Sequence, residues 1–436
     1  MRSGPGTNYG ILTVLHKDAI VRVLGKQDNW YEIEYAEGET GYISATYLEI
    51  VDNTEEKPNF SEGKITTDFL TIHAGAGTSY SSVGTLYAGD EIEVLSTVGE
   101  WMKIKHGSVT GYVMLHYVQA INLPAGVPMR CVTDFNRYDY EKMLVDIDEL
   151  MRAYPGMILK SSIGKTPEGR DIILLRVGTG EKKILMSAAM HAREYIAATH
   201  AMKSLDEMLF AHANNASIDG YDVKTLLKNT TYYIVPMLNP DGINVVINGI
   251  NSSSNASILN SMNWVKEKPL SLKANTRGVD LNRNFPERWS NWTKGQSGPA
   301  SELYKGPSAA SEPETQAIVN LVENNTFSFS LSFHAKGQIL YWIEQENRSW
   351  GQDYKFVIDK VSASTGYSLV DDTSTGSSYG ANMSTYVLAN KIPFITVELC
   401  PSDGTYRPYD DSKYISNVYS RAKNVMAIVG AECDKR

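Results

Sequence analysis

Cysteine is scarce in this sequence: three residues in 436, at Cys131, Cys400 and Cys433. So few exclude a disulfide framework, and no two have the spacing of a zinc ribbon or a redox pair. Cys131 and Cys433 flank the second half of the chain, and the ends of a domain often lie close together. A disulfide there is compatible with that closeness; two thiols are the simpler expectation. Positive charge is not in excess either. A formal net charge of −9 excludes the basic footprint that nucleic-acid binding requires. No apolar run approaches the roughly 18 residues of a membrane span. Met1 is followed by RSGPGT, not by a basic and then apolar segment, so no signal peptide is legible.

What is present reads as globular, with 42% hydrophobic and 21% charged residues. A length of 436 residues exceeds one ordinary core and predicts about two to four domains. The charge is uneven: residues 1–120 hold 8 Lys and Arg against 16 Asp and Glu, while the remainder is nearly balanced at 33 against 34. The acidity belongs to the N-terminal part.

That part contains a repeat. RSGPGTNYG (2–10) matches HAGAGTSYS (73–81), NWYEIEY (29–35) matches EWMKIKH (100–106), and TGYISATYL (40–48) matches TGYVMLHYV (110–118). Each unit alternates apolar and polar residues between Gly and Asp turns, the pattern of short strands. Each therefore predicts a small β-barrel, at residues 1–51 and 64–121, joined by the polar segment 52–63. Both units resemble the bacterial Src-homology-3-like domain. That resemblance implies targeting to cell-wall glycan or peptide. The family's first strand precedes the RSGPG segment; unit 2 has it as ITTDFLTI (65–72), and unit 1 lacks it. The expectation is a truncated or late-drawn start, with any signal peptide upstream and an extracellular or cell-wall location.

After the Pro/Gly joint NLPAGVP (122–128) the pattern changes. Residues 139–156 read as an amphipathic helix burying Met143, Leu144, Ile147, Leu150 and Met151. Residues 161–177 read as a hairpin turning at Thr166–Gly169. KKILMSAAM (182–190) is a continuous apolar run, as expected of a strand buried on both faces. Further strands are expected at 231–238, 329–333, 339–343 and 393–399, with helices between them and over 412–430. The result is an α/β domain over 131–432, a mixed sheet with helices on both faces.

The chemistry gathers where these strands end. The run to Met190 is followed by His191-x-x-Glu194, and 194–209 reads as a helix. Strand 329–333 leads into His334, and the last strand carries Glu398. Ligands of open α/β sheets bind at the carboxyl ends of strands. Each piece alone has an ordinary structural use: a helix start, a core histidine, a paired carboxylate. Together, two histidines and a carboxylate suit zinc with an open fourth position. A further carboxylate, Glu398, suits the proton transfers that metal-assisted hydrolysis needs.

In this combination the segment 131–432 resembles the zinc metallocarboxypeptidases, the relatives of carboxypeptidase A. The resemblance rests on MHAREYI (190–196), NPDG (239–242), GVDLNRNFP (278–286), SFHAKGQILYW (332–342) and FITVEL (394–399). It implies one zinc held by His191, Glu194 and His334, with Glu398 as general base and then acid. It implies Asp280 orienting His191, Asn282 and Arg283 gripping the substrate's terminal carboxylate, and Arg193 lining the next subsite. For the oxyanion charge, Arg277 and Lys273 are the candidates, with Arg277 preferred for its planar fixed charge. Tyr379 is offered as a substrate-facing tyrosine, and Asn382 or Met383 as part of the specificity pocket. The RGVDLNRNFP segment (277–286) and Gly337-x-x-x-Tyr341-Trp342 resemble a bacterial branch that cuts peptidoglycan stem peptides between γ-D-glutamate and meso-diaminopimelate. Two other readings remain: a carboxypeptidase for ordinary peptides, and a non-catalytic wall-binding protein.

Overall fold

The structure, a computed structural model, describes residues 1–15, 21–36, 38–48, 61–78, 80–98, 101–121, 127–342, 354–370 and 380–433. It divides into two compact units, Met1–Met129 and Arg130–Arg436.

The first unit holds two sheets. One has strands β1 (Arg22–Gln27), β2 (Trp30–Ala36) and β3 (Glu39–Ser44), antiparallel in that order. The other has seven strands, β4 (Glu62–Ile65), β5 (Phe69–His73), β6 (Ser82–Tyr87), β7 (Glu91–Val98), β8 (Trp101–His106), β9 (Val109–Met114) and β10 (Val118–Ala120), ordered β10-β4-β7-β8-β9-β5-β6. In β7 every second residue is buried, as period-two patterning demands. Ile92 and Val94 of this face join Ile65, Ile72, Leu86, Ile104 and Val113 in one core. The sequence repeat has a structural cause. In both units the tyrosine ring lies on the glycine of the turn: a Cβ on Gly4 would meet the Tyr9 ring at 2.4 Å, and one on Gly75 the Tyr80 ring at 2.6 Å. The backbone bonds repeat too, Gly6 N to Gly4 O and Gly77 N to Gly75 O at 2.9 Å, then Tyr9 N to Gly6 O and Tyr80 N to Gly77 O at 3.3 Å.

The second unit is built on an eight-stranded mixed sheet. Its strands are β11 (Ile158–Lys165), β12 (Asp171–Val177), β13 (Lys182–Ala188), β16 (Thr230–Val235), β17 (Phe329–His334), β18 (Ile339–Tyr341), β19 (Ser368–Val370) and β20 (Phe394–Glu398). The remaining pair, β14 (Ser217–Ile218) and β15 (Tyr221–Asp222), forms a separate ribbon. The large sheet runs β11-β12-β16-β13-β17-β20-β18-β19, with β16, β13, β17 and β20 mutually parallel. These four central strands are buried along nearly their whole length. Their carboxyl ends share one edge, and the loops that follow them carry the candidate site residues. No helix among the described residues is long and apolar enough to cross a membrane.

Two expectations need adjustment. The first helix, α1 (Tyr140–Ala153), is capped by Asp139 and buries Met143, Ile147 and Leu150 as read, but Leu144 is only half-buried and Met151 is 36% exposed. The buried stripe continues instead through Tyr140 and Asp146, the latter made tolerable by a hydrogen bond from the Tyr138 hydroxyl. The C-terminal helix is broken. A turn at Asp411–Lys413 leads into a π-helix, Tyr414–Tyr419, before short α-turns and the helix Val425–Cys433. The wider π-turn brings the Tyr414 and Tyr419 rings to 6.2 and 6.5 Å from that of His200, a tertiary contact that periodicity does not reveal. All three cysteines are buried thiols.

Candidate active site

His191 follows β13 and caps a short turn, Ala192–Glu194, that leads into α2 (Ile196–Ala213). The chain reaches this corner under strain, with Ala189 at φ +52°, a conformation non-glycine residues rarely adopt. Asn239, which follows β16, holds it there. Its Nδ2 donates to the Met190 carbonyl at 3.1 Å and to the Ala274 carbonyl at 3.2 Å, while its Oδ1 caps the helix Pro240–Asn248. His334 ends β17, and across the parallel ladder its register partner is Glu398 of β20. At Gly337 a Cβ would come within 2.9 Å of Ile339 and 3.3 Å of the Glu398 Cβ, so a side chain there would crowd the loop against Glu398.

Three donor atoms converge. His191 Nδ1 lies 3.0 Å from Glu194 Oε2, His334 Nδ1 lies 3.1 Å from the same oxygen, and the two Nδ1 atoms are 3.1 Å apart. All three residues are buried. Zinc bonds of about 2.0–2.1 Å at tetrahedral angles put neighbouring ligand atoms about 3.3 Å apart. The triangle therefore has the size of one face of a zinc tetrahedron. The donor set fits as well, being two imidazoles and a carboxylate whose lone pairs face one another. The backbone N–H of Ala335 steadies Glu194 Oε2 at 3.2 Å. Burial pushes the Glu194 carboxyl up, but the two histidines outweigh it and hold it well below the usual carboxylate range.

Asp280 stands behind His191. It is fully buried, its Oδ1 lies 3.5 Å from His191 Nε2 and accepts the Asn282 N–H, and its Oδ2 accepts the Leu303 N–H at 3.0 Å. Burial opposes its charge, but His191, Lys273 and Arg283 together keep its carboxyl far below the ordinary range. Glu398 is pushed up to about 7, by burial first and then by the Glu194 carboxylate. Working against that rise are His334, Lys273 and Arg193.

The other expected residues divide into those close to this centre and those apart from it. Asn282 Oδ1 accepts from Met383 N at 3.1 Å. Arg283 stacks over Trp292, with its guanidinium carbon 4.6 Å from the ring centroid, and its buried Nε has no partner. Arg193 bonds Ser271 O at 3.0 Å and Glu302 at 3.1 Å. Arg277 is different. Its side chain is 46% exposed and faces Glu312 at 3.8 Å, and the charges acting on Glu398 and Asp280 include Lys273 instead. Asn382 is buried, and its Oδ1 caps the helix Met383–Ala389 by accepting from Thr385 N. Met383 is packed in the core. Tyr379 lies outside the described residues. Sequence reasoning missed the bracing role of Asn239, although an Asn before Pro at a helix start is a capping signal.

Comparison with known proteins places this geometry. The family model described as zinc carboxypeptidase matches residues 143–409, and the bacterial SH3 domain model matches 1–49 and 68–119. Gamma-D-glutamyl-L-diamino acid endopeptidase 1 of Lysinibacillus sphaericus is 31% identical over 274 residues, 62% of this chain and 67% of that protein. Mast cell carboxypeptidase A of Mus musculus is 26% identical over 207 residues, and the match spans 46% of either protein. Among solved structures, bovine thrombin-activatable fibrinolysis inhibitor superposes with a TM-score of 0.55 at 21% identity, covering 69% of this chain and 98% of that one. Carboxypeptidase A from Helicoverpa armigera gives 0.53 at 21% identity, covering 68% and 73%. These two show the shared fold. Behind two bacterial SH3 domains, then, the chain belongs to the zinc carboxypeptidase family, whose members are zinc-dependent peptide hydrolases.

Proposed function

We propose that this enzyme cuts peptidoglycan stem peptides between γ-D-glutamate and meso-diaminopimelate, outside the cell. In this reading the barrels at 1–51 and 64–121 hold the 131–432 domain on wall glycan or peptide. The observation that carries it is the pairing of a buried His191, Glu194 and His334 triangle with a carboxylate, Glu398, one strand away in register with His334. The bond is supported by the name of the Lysinibacillus sphaericus relative.

When bound, zinc supplies Lewis-acid polarisation of the scissile carbonyl and a lowered pKa for water. The chain's own residues do the rest. His191, Glu194 and His334 hold the ion. Glu398 takes the proton of the attacking water and delivers it to the leaving nitrogen. The Asp280 carboxylate, 3.5 Å from His191 Nε2, favours the proton on that nitrogen, the tautomer that leaves Nδ1 bare for the metal. Asn282 has its Oδ1 engaged by Met383 N, so its amide N–H₂ points to the trailing carboxylate beside the Arg283 guanidinium. Arg193 lines the leading side. For the oxyanion charge we take Lys273, whose charge acts on Glu398 together with those of His334 and Arg193, over Arg277, which faces Glu312 at 3.8 Å.

The test uses the zinc-loaded chain with L-Ala-γ-D-Glu-meso-diaminopimelate and with a blocked dipeptide ending in an aromatic or basic residue, read by mass spectrometry with a chelator control. Chelator-sensitive release of diaminopimelate alone supports the reading. Cleavage of only the dipeptide leaves the metal centre and sinks the wall substrate. Zinc binding without cleavage of either favours a scaffold.

A further inference from the structure

A cavity of about 470 Å³ is lined by Trp264, Tyr406, Asn263, Gln296, Ser301 and Glu302 among others. Its volume falls within the range of small-ligand pockets, about 300–1,000 Å³. It is coupled to the site by direct bonds. Arg193, the residue before the ligand Glu194, reaches Glu302 at 3.1 Å and lies 5.4 Å from the centre of the Tyr406 ring. The cavity wall at Ser301 accepts the Lys273 and Ala274 N–H groups at 2.9 and 2.8 Å, and Leu303 N donates to Asp280.

Its chemistry is specific. Trp264 and Tyr406 remain 46% and 57% exposed, and their rings meet edge to face at 86° with centroids 6.5 Å apart. They form two partly exposed walls at a right angle, with the Lys268 ammonium over the Trp264 ring at 4.4 Å and the Arg193 guanidinium over the Tyr406 ring at 5.4 Å. Between them stand amide, hydroxyl and carboxylate groups. The one carboxylate among the lining residues named, Glu302, is already paired with Arg193, and the nearby Lys268 ammonium is engaged over the Trp264 ring, so neither charge is left bare for a ligand. An apolar face with a rim of hydroxyls, and no net charge, is the description of a pyranose ring. Aromatic side chains with polar neighbours suit such an amphipathic partner.

Position agrees with chemistry. Arg283, on the trailing-carboxylate side, contacts Trp292 and Asn282; Arg193 contacts Ser271, Glu302 and Tyr406. The cavity is thus on the side of the leading residues. In a wall stem peptide two amino acids separate the proposed bond from the sugar, an extended span of roughly 10 Å because the γ-linked glutamate adds two methylenes to the path. Arg193 bridges the gap between Glu194 and the cavity with a single side chain.

We propose that this cavity is a sugar subsite that seats the N-acetylated hexosamine at the head of the stem peptide, with Trp264 and Tyr406 as its stacking walls. The inference rests on the proposed wall-peptide reading and gives it a substrate class: peptides still attached to glycan, in preference to peptides released from it. The experiment has two arms. In the first, kcat/KM is measured on N-acetylmuramyl-L-Ala-γ-D-Glu-diaminopimelate and on the same tripeptide without sugar. The sugar should raise kcat/KM about five- to tenfold, chiefly through KM. That ratio should collapse towards one in Trp264→Ala and recover partly in Trp264→Phe. A wild-type ratio near one, or a ratio unaltered by Trp264→Ala, overturns the subsite. The second arm needs no turnover: binding of N-acetylmuramyl-L-Ala-D-isoglutamine to the Glu398→Gln protein, by calorimetry, with and without Trp264→Ala. Weakening by about five- to tenfold supports the subsite, and equal binding removes it. Failure to cleave either peptide while this arm succeeds would instead count against the proposed reaction.

Discussion

Replacing Asp280 by Asn tests the metal centre at its least exposed point. The two carboxylate oxygens have different tasks: Oδ1 faces His191 Nε2 at 3.5 Å and accepts Asn282 N, and Oδ2 accepts Leu303 N at 3.0 Å. An amide keeps one acceptor and turns the other into a donor. If the amide oxygen stays towards Leu303, the NH₂ faces His191 and Nε2 must become the acceptor. The proton then moves to Nδ1, and the ligand atom is lost. If the oxygen stays towards His191, the NH₂ meets the Leu303 N–H, leaving a buried donor unsatisfied at about 1–3 kcal/mol. Either way a negative charge is removed beside a metal-binding histidine. Loss of such a supporting partner costs about 10–100-fold in metal affinity or activity, which is about 1.4–2.8 kcal/mol. The two routes agree in size. The assay is zinc affinity by chelator competition, paired with a urea midpoint to divide the loss between metal and fold. A variant that binds zinc as tightly as the parent and unfolds at the same urea concentration would refute the assignment of Asp280.

Other expectations follow from the same site. Glu398→Gln should lower kcat by about 10²–10⁴-fold while zinc content stays at one per chain; simultaneous loss of zinc would make Glu398 a ligand. Because a base works deprotonated, kcat/KM should fall as pH drops through the Glu398 pKa. Without metal that carboxyl is pushed up to about 7, and a bound cation pulls it down, so the acid limb should lie below about 7. Lys273→Ala should cost about 10²-fold in kcat, whereas Arg277→Ala should leave kcat nearly unchanged, its guanidinium facing the buried Glu312 at 3.8 Å; the reverse ranking restores the planar-charge expectation. Away from catalysis, burial pushes the Glu314 carboxyl up to about 8. The native chain then keeps a proton that the unfolded chain releases, so stability should fall as pH rises from about 4.5 to about 8. The span is worth at most about 5 kcal/mol. Glu314→Gln should flatten urea midpoints over that window, and an unchanged slope would place the proton elsewhere.

Why some of this was legible in the sequence and some was not follows from where the information resides. The ligands were readable because each sits at the end of a continuous apolar run, and parallel strands buried on both faces bring their ends to one edge. The barrels were readable because a glycine beneath a tyrosine ring leaves a two-residue signature in each unit. The preference for Arg277 shows the opposite case. Five residues separate it from Asn282, and in that stretch the backbone turns tightly, Gly278 N bonding Asn275 O at φ +73°. The turn sends Arg277 out to Glu312 and leaves Lys273, whose N–H is tied to Ser301, on the side of Glu398. Charge type was visible in the sequence, but direction was set by a turn.

Asn382 shows how one residue can carry two signals. Asn before a helix is ambiguous between a cap and a pocket donor, and the cap wins because Thr385 N stands 2.8 Å from its Oδ1. The cavity of Trp264 and Tyr406 was illegible because 142 positions separate its two walls; neither residue has a periodic partner, and their meeting depends on how the loops after β16 and β20 fold over the sheet edge. The same loops decide whether the substrate's leading end is closed off or open. On the proposed reading, a leading side lined with sugar-compatible rings suits an enzyme that works on peptide still attached to the wall, which is where barrels with the proposed wall-binding role would hold it.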